Sequence, residues 1–421
     1  MLAAMGEPFV DATPGPGQLR EPAEVLQEAL LLAAPLTAED LSLADAAGLV
    51  LAEDVVSPVA LPRFDNAAMD GFAVRAGDLA GASASALVRL RIIGTSVAGE
   101  PCRVALTQGS ALRIATGAPV PEGGDAVVRL EDAVAPEADE AIFSAAVSPG
   151  TNVRRMGEDV RAGDVMLVAG ARMGPGQVAA AAASGVHRVP VRRRPRVTVI
   201  VTGDEVVPPG AVVGEAHVAD AIGPALCTAL EQLGCVPSLL GPVPDDASDA
   251  AHAVIDAARG ADVVITSGGI SMGPRDHVRA ALVSAGASVV AVAIRPGKPF
   301  AFGRRDDCLL FGLPGNPVSA LVAFEFFVRP ALMVLSGRPP DERPRVMAWL
   351  VEPFEQRPGR LHLVRARLDR TSPEARVTAL GRQGAGSLGS LAEADAWMVI
   401  RPDVGRLDAG AEVETWPMLP D

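Results

Sequence analysis

The sequence predicts a multidomain protein of the α/β plus β class. It has a central doubly wound α/β domain, an N-terminal mixed segment with an inserted small β domain, and a C-terminal β-barrel-like domain. Buried strands alternate with helices through the middle of the chain, which favours a parallel sheet with right-handed crossovers. Short β runs broken by Gly and Pro precede and follow that region. The length of 421 residues and the 49% hydrophobic content suit several packed cores.

Shifts in composition predict where the domains begin and end. The expected domains are a discontinuous, elongated N-terminal linker domain (1–62 and 150–190), an inserted small β domain (63–149), the α/β domain (191–337) and the C-terminal β domain (338–421). The basic run Arg192–Arg196 marks the start of the α/β domain. Such a run is typical of a solvated linker.

The elements before the α/β domain follow from local patterns. A helix begins near Pro22, since proline suits a first helical turn. An extended segment over Leu51–Val59 follows, and Met173–Gly185 is Ala-rich and helical. The β runs of the inserted domain are Val88–Ile93, Ala111–Ile114, Ala126–Leu130 and Ala141–Val147.

The α/β domain and the C-terminal domain have clearer patterns. The predicted strands of the α/β domain are Val197–Thr202, Val236–Leu240, Asp262–Thr266, Val289–Ile294 and Leu309–Gly312. Its predicted helices are Pro224–Leu233, Ala247–Ala258, Asp276–Ala285 and the long apolar Pro317–Leu335. The C-terminal strands are Val346–Val351, His362–Leu368, Val377–Leu380 and Ala396–Ile400.

Charge and cysteine content exclude several classes of protein. The net charge of −14 argues against nucleic-acid binding, which needs a basic surface. The four cysteines have no C-x-x-C pair and suit reduced thiols in the cytoplasm. We expect no signal peptide and no membrane span, because the apolar run Ala29–Pro35 is too short to cross a bilayer.

Three glycine-bearing loops follow predicted strands of the central sheet. They are Thr202–Glu205, Ser267–Gly273 and Leu313–Pro317. Because the carboxyl ends of parallel strands share one edge, these loops should open together, where such sheets bind ligands. Glycines let backbone N–H groups approach an anion, and Asn316 with Pro317 suits the start of a helix whose N-terminus attracts one. Ordinary strand-to-helix turns remain the alternative.

Charged residues lie close to these loops. The turn Arg295–Pro299 places two cations three positions apart, a spacing that suits an oxyanion or a phosphate. Carboxylates in or near the loops, including Asp276, are candidate Mg²⁺ ligands, although solvated acids are the alternative for most of them. The five histidines are isolated, which favours structural or exposed roles. Polar loops at Phe64–Gly71, Arg113–Pro121 and Arg154–Asp159 suggest a second wall of a cleft.

These motifs resemble those of the molybdopterin molybdenumtransferase family, which includes the E-domain of gephyrin. The similar segments, in the family's order, are Phe64–Val74, Thr116–Pro121, Arg154–Asp159, Thr202–Glu205, Ser267–Gly273, Pro296–Phe300 and Leu313–Ser319. The resemblance implies an α/β domain of the molybdopterin-binding type. It also implies a Mg²⁺-dependent enzyme that inserts molybdate into adenylyl-molybdopterin and releases AMP. A homodimer is implied, with transient contacts to a molybdopterin adenylyltransferase and to acceptor molybdoenzymes.

The resemblance carries over to individual residues. The implied catalytic residues are Asp70, Thr116, Asp159, Glu205 and Lys298. The implied substrate-binding residues are Ser267, Gly268, Gly269, Ser271, Arg295, Pro314, Gly315, Asn316, Pro317 and Arg365, of which Arg295 and Arg365 join Lys298 in a molybdate-facing cationic set. The implied metal ligands are Asp245 and Asp276.

The chain departs from the family pattern at several positions on the molybdate-facing side. Arg295 stands where lysine is common, Ala291 where some members have a second lysine, and Ala385 where serine is usual. Ile222 replaces an amide, and Phe72 replaces the usual tyrosine. These departures predict either a variant anion site or reduced activity. Two alternatives to molybdenum insertion remain: a scaffold paralogue with a degraded site, and a molybdopterin adenylyltransferase, whose single-domain relatives share the Ser267–Gly269 and Pro314–Pro317 loops.

Overall fold

The structure is a computed structural model that describes three stretches of the chain: 19–134, 139–270 and 277–418. The chain forms two compact units, Met1–Glu39 with Arg192–Asp421, and Asp40–Val191. The first helix, α1 (Pro22–Leu31), belongs to the larger unit and starts on proline, as predicted. Val25 and Ala29 of this helix are buried in the larger unit's core.

The smaller unit consists of short strands and one helix. Its elements are β1 (Ala38–Ser42), β2 (Val55–Val56), β3 (Asn66–Ala67), β4 (Gly71–Val74), β5 (Val88–Ser96), β6 (Ser110–Ile114), β7 (Ala126–Arg129), β8 (Glu140–Phe143), β9 (Val153–Arg154), β10 (Val165–Leu167), α2 (Pro175–Ala183) and β11 (Arg188–Arg192), with the unit boundaries inside β1 and β11. Strands β7, β4, β6, β5 and β8 form a five-stranded sheet in that order. The prediction of a loop over Phe64–Gly71 is wrong in part, because β3 lies inside it and pairs with β9.

The larger unit begins with the α/β elements. They are β12 (Arg196–Thr202), β13 (Val206–Val207), β14 (Val218–Ala219), α3 (Ile222–Gln232), β15 (Val236–Val243), α4 (Ala247–Gly260), β16 (Val263–Ser267), α5 (His277–Ser284), β17 (Ala287–Ala291), β18 (Ile294–Arg295), β19 (Pro299–Arg305), β20 (Cys308–Leu313), α6 (Pro317–Ala323), a π-helical turn (Phe324–Val328) and α7 (Arg329–Leu335). The sheet order β15-β12-β16-β20-β19-β17 is doubly wound. One apolar cluster joins the sheet to α3, α6 and α7, and another joins its other face to α4 and α5.

The prediction of a parallel sheet is confirmed for β15, β12, β16 and β20, but β19 runs antiparallel to both of its neighbours, β20 and β17. The sequence analysis missed β19. A two-residue turn, Asp306–Asp307, joins it to β20 as a hairpin, and Asp306 has a φ of 52°. Aspartate tolerates that left-handed conformation, which tight hairpins require.

The C-terminal part of the larger unit is a small barrel. Its elements are β21 (Val346–Leu350), β22 (Phe354–Glu355), β23 (Leu361–Asp369), β24 (Arg376–Ala379), α8 (Leu388–Glu393), β25 (Ala396–Ile400), β26 (Arg406–Leu407) and β27 (Glu412–Pro417). Strands β23, β24, β21, β27 and β25 pair in that order, and β25 pairs back with β23. The ring is therefore closed, which confirms the barrel-like prediction.

The long helix α6–α7 is apolar enough to cross a membrane by length and composition alone, yet 72% of it is buried inside the protein, as in a core helix. Pro330 lies in its interior and has no backbone N–H to donate. In the adjacent π-helical turn the carbonyl of Glu325 accepts instead from the Arg343 guanidinium, at 2.5 Å. That guanidinium also stacks on Trp416, 4.1 Å from the ring centroid, and so ties the helix to the barrel.

The basic run before β12 is not a solvated linker, and that prediction was wrong. The guanidinium of Arg193 makes two hydrogen bonds of 2.6 Å to the carboxylate of Asp262, whose side chain is only 8% exposed. The backbone N–H of Arg196 donates to the same carboxylate at 2.8 Å. Burial alone would raise the pKa of Asp262, but these hydrogen bonds hold it below its usual range. Asp262 thereby fixes the start of β12 beside β16.

We expect Asp262→Asn to lower the free energy of unfolding by about 3–5 kcal/mol, because it leaves the Arg193 guanidinium half-buried without its counter-ion. Denaturant unfolding measures the change. Asp256→Asn is the control, since it breaks an exposed pair with Arg259 that contributes about 0–1 kcal/mol. Equal effects of the two variants would contradict the anchoring role.

Candidate active site

A cavity of about 450 Å³ lies at the carboxyl ends of β12 and β16. Parallel register brings these ends together, because Val201 pairs with Ser267 and Ser267 with Leu313. The lining residues come from the three predicted loops and their surroundings: Val201, Thr202, Gly203, Glu205, Val206, Val218, Ala219, Asp220, Ala221, Ile222, Asp245, Ser267, Gly268, Gly269, Gly315, Pro317 and Leu388. The expectation that the loops share one rim is confirmed.

Two glycines allow the loop after β16 to meet the loop after β20. Gly268 has a φ of +99° and Gly269 a φ of +60°, backbone conformations that residues with a Cβ rarely adopt. The backbone N–H of Gly268 donates to the carbonyl of Leu313 at 3.2 Å. A Cβ on Gly315 would lie 3.4 Å from the Cα of Gly268. The Gly268 N–H thus joins two loops, and its hydrogen bond is already made within the protein.

The cavity is acidic. Glu205, Asp220 and Asp245 line it, and the described lining contains no lysine, arginine or histidine. The Asp220 carboxylate accepts the backbone N–H groups of Ile222 and Gly223, each at 2.9 Å, and so caps α3. Burial raises the pKa of Asp245, a backbone hydrogen bond from Asp204 opposes the shift, and the charges of Asp204 and Glu205 add to it. Bringing these carboxylates together therefore costs free energy.

The predicted cations belong to a turn beside α6. Arg295 and Lys298 are both exposed, and neither is among the residues that line the cavity. A Cβ on Gly297, between them, would lie 3.4 Å from the carbonyl oxygen of Ser319 in α6. The turn thus contacts the helix that begins at the cavity. The roles of Arg295 and Lys298 stay predictions.

The start of α6 differs from the expected anion site. Asn316 occupies the N-cap position, but its side chain makes no capping hydrogen bond. The backbone N–H of Val318, in the first turn, donates to the carbonyl of Ala385 at 3.2 Å. Pro317 lines the cavity, while Pro314 is buried and Asn316 is exposed. One first-turn donor is therefore satisfied by the protein rather than left for a ligand.

Arg365 and His362 are buried in β23. Arg365 is 1% exposed, and its guanidinium donates to the carbonyls of Arg382 and Gly384 at 3.0 and 2.9 Å. Nδ1 of His362 lies 2.9 Å from Oε1 of Gln356, whose amide nitrogen donates to two carbonyls. Burial, with the nearby charge of Arg295, lowers the pKa of His362 to about 4. His362 is thus a neutral structural histidine, as expected.

The smaller unit brings together Asp70 and Thr116, two of the predicted catalytic residues. The backbone N–H and the hydroxyl of Thr116 donate to the same Asp70 oxygen at 2.6 and 2.8 Å. These bonds hold the pKa of Asp70 below its usual range. Asp70 is exposed and ionised, which suits a carboxylate that meets a ligand.

The three polar loops of the smaller unit converge on β3. Asn66 pairs with Arg154 on one side and with Pro119 on the other. The carboxylate of Asp65 accepts from Nη1 of Arg155 at 2.6 Å and from the backbone N–H of Met156 at 2.8 Å. Asp159 ends this segment as an exposed residue whose backbone N–H donates to Leu61. The three loops thus lie side by side around β3.

Two predicted site residues, Ser271 and Asp276, lie outside the described residues. Among the residues that are described, no group of three or more His, Cys, Asp and Glu side chains is arranged to hold a metal. Sequence reasoning missed Leu388, which reaches the cavity from the C-terminal barrel region. Leu388 lies three residues after Ala385, which the sequence analysis places on the molybdate-facing side. That short distance along the chain was the available signal.

Three family models match nearly the whole chain. The MoeA N-terminal region (domain I and II) matches residues 20–185, the probable molybdopterin binding domain matches 198–334, and the MoeA C-terminal region (domain IV) matches 348–418.

Individual proteins are similar over most of their length. The chain is 37% identical to a molybdopterin molybdenumtransferase of Haemophilus influenzae, over 91% of this chain and 94% of that one. It is 36% identical to molybdopterin molybdenumtransferase 2 of Mycobacterium tuberculosis, over 95% and 99%. A crystal structure of a molybdopterin biosynthesis MoeA protein from Pyrococcus horikoshii superposes with a TM-score of 0.82 at 28% identity, covering 95% of this chain and all of that one.

We expect Gly71→Ala to unfold β4 locally and to separate Asp70 from Thr116, because the added Cβ would lie 1.9 Å from the carbonyl oxygen of Val128. The free energy of unfolding should fall by about 3 kcal/mol. Gly77→Ala in the same unit is the control, since nothing lies within 4 Å of its Cβ. Thermal unfolding compares the two, and equal stability would refute the close contact.

Proposed function

The chain belongs to the molybdopterin molybdenumtransferase (MoeA) family, and on this basis we propose how its site carries out the reaction. The protein is a transferase that inserts molybdenum into molybdopterin during biosynthesis of the molybdenum cofactor. The observation that carries our proposal is the cavity at the carboxyl edge of the central sheet, where three loops meet beside the carboxylates of Glu205 and Asp245.

The substrates that we propose are adenylyl-molybdopterin and molybdate. Water or a molybdate oxygen attacks the phosphoanhydride, the bond to the adenylyl group breaks, and AMP leaves. The dithiolene sulfurs then bind molybdenum, and one molybdate oxygen leaves as water with the two thiol protons. Both substrates are anions, and two unit charges 4 Å apart repel by about 1 kcal/mol in water and by far more in a dry site. The site must offset that repulsion, and it needs no protein nucleophile.

The protein's own residues bind and orient the substrates in this proposal. Ser267, Gly269 and Gly315 form the floor against which the phosphate-bearing part of adenylyl-molybdopterin lies, since the glycines admit a close approach of the backbone. Lys298 and Arg295 supply positive charge toward molybdate. A second wall, in the smaller unit, supplies the carboxylates of Asp70 and Asp159 and the hydroxyl of Thr116.

The donor set of the cavity fits Mg²⁺. Glu205 and Asp245 are carboxylates in an acidic lining, and a bound cation would offset the burial and, to a lesser extent, the repulsion from Asp204 and Glu205 that raise the pKa of Asp245. Mg²⁺ binds proteins through one or two carboxylates together with water and substrate phosphates. When bound, it would screen the two anions and polarise the phosphoanhydride. Asp276 is the further ligand implied by family membership.

We also propose a cytoplasmic homodimer in which a second copy of the chain supplies the wall that contains Asp70. Transient contacts with a molybdopterin adenylyltransferase and with acceptor molybdoenzymes would deliver the substrate and receive the product. The long helix, buried in the core, agrees with a protein that works without a membrane.

The two alternative functions have less support. A scaffold paralogue would not need Asp70 and Thr116 held in hydrogen-bonding contact, nor carboxylates gathered in a cavity. An adenylyltransferase would consume ATP and molybdopterin, whereas the two relatives described above, which match over 91% and 95% of the chain, are named molybdenumtransferases.

The substrate that is consumed tests the proposed reaction. We expect the purified protein to release AMP from adenylyl-molybdopterin when molybdate and Mg²⁺ are present, and to consume no ATP with molybdopterin. Chromatography of the nucleotides follows both reactions. Consumption of ATP, or no AMP release above the uncatalysed rate, would refute the proposed reaction.

The metal assignment has its own test. Asp245→Asn removes a like charge, so we expect no loss of stability in the absence of metal. In the unmodified protein Mg²⁺ should raise the melting temperature, and we expect Asp245→Asn to lose most of that increase. Differential scanning fluorimetry over a Mg²⁺ titration measures this. Asp256→Asn, an exposed acid on α4, should keep the full Mg²⁺ response. A response retained by Asp245→Asn would exclude Asp245 as a ligand.

A further inference from the structure

Leu388 is an exposed apolar side chain in the wall of the acidic cavity. It is 46% exposed, and it lines the cavity together with Pro317 and Ile222. Exposed leucines are common, but this one stands over a space whose floor is made of glycine backbone and carboxylates. An apolar wall of this kind suits the flat face of a heterocycle, which loses water when it packs against carbon.

The loop that carries Leu388 is held in place at several points. The carbonyl of Ala385 accepts the Val318 N–H of α6, and turns at Gly384 and Gly386 are closed by the N–H groups of Ser387 and Leu388. The side chain of Gln383 both donates to and accepts from the backbone of Arg365. The loop 382–387 is thus fixed between β23 and α6.

Arg365 supplies two further hydrogen bonds to this loop. Its two Nη groups donate to the carbonyls of Arg382 and Gly384, and Nε is buried without a hydrogen-bond partner among the described residues. With the side chain 1% exposed, no N–H group of the guanidinium is open to a ligand in this conformation. The planar fork therefore serves the loop, a task that a lysine ammonium cannot reproduce.

We propose that Leu388 packs against the heterocycle of adenylyl-molybdopterin, and that Arg365 is a positioning residue that holds Leu388 there through the loop 382–387. The inference rests on the proposed function. It gives Arg365 a role that differs from the molybdate contact implied by family membership, because the Arg365 guanidinium donates its hydrogen bonds to backbone carbonyls.

Leu388→Ala is the first test. We expect the concentration of adenylyl-molybdopterin at half-maximal velocity to rise about tenfold, with the half-saturating molybdate concentration and the melting temperature unchanged. Leu239→Ala, at a leucine of matched 45% exposure outside the cavity lining, should change none of these. An unchanged requirement for adenylyl-molybdopterin in Leu388→Ala would overturn the proposal.

Arg365→Lys is the second test, since it keeps the charge and loses the fork. We expect it to reproduce the effect of Leu388→Ala, and the double variant to be no worse than the more affected single variant, because both changes remove one contact. A raised molybdate requirement with normal use of adenylyl-molybdopterin, or additive losses in the double variant, would overturn the positioning role.

Direct binding separates this proposal from the proposed function. Titration calorimetry of adenylyl-molybdopterin without molybdate should show the same tenfold weakening in Leu388→Ala, whether or not turnover occurs. Absence of turnover in the unmodified protein would refute the proposed function alone. Unchanged binding by Leu388→Ala would refute the proposed contact between Leu388 and the heterocycle.

Discussion

The parallel pairing of β12, β16 and β20 is the constraint on which the site depends. Backbone hydrogen bonds fix the register in which Val201, Ser267 and Leu313 lie side by side, so the chain leaves all three strands at one edge. Residues more than a hundred positions apart then share one cavity. Asp262 supports this arrangement from the opposite end, where Arg193 and the backbone of Arg196 bind its carboxylate.

Much of the fold was predictable because it follows from the spacing of apolar residues and from the positions of proline and glycine. The apolar strand around Val199 and the proline-led starts of α1 and α6 are local signals, and the structure has each of them. The antiparallel edge was not predictable in this way. Strand β19 follows directly on the Arg295–Pro299 turn, and its pairing depends on a hairpin that only the tertiary structure specifies.

The site was predictable in its loops and less so in its contacts. Motifs identified Asp70 and Thr116, and the structure brings them within hydrogen-bonding distance. No pattern in the sequence indicates that Arg365 is enclosed by its own loop, or that Asp220 is used to cap α3. Such facts depend on which partner a polar group finds after folding. The acidic character of the cavity likewise emerges only when Glu205 and Asp245 are brought together.

The closed ring of the C-terminal barrel limits how this region can meet other proteins. Each of its five strands already has a neighbour on both sides, and β18 adds a further pairing along β23. Within the described part of the chain, the ring therefore presents no row of unpaired N–H and C=O groups that an incoming peptide could extend as an extra strand. A protein that docks on the barrel must recognise its side chains and loops, so its specificity would come from surface shape rather than from β-augmentation.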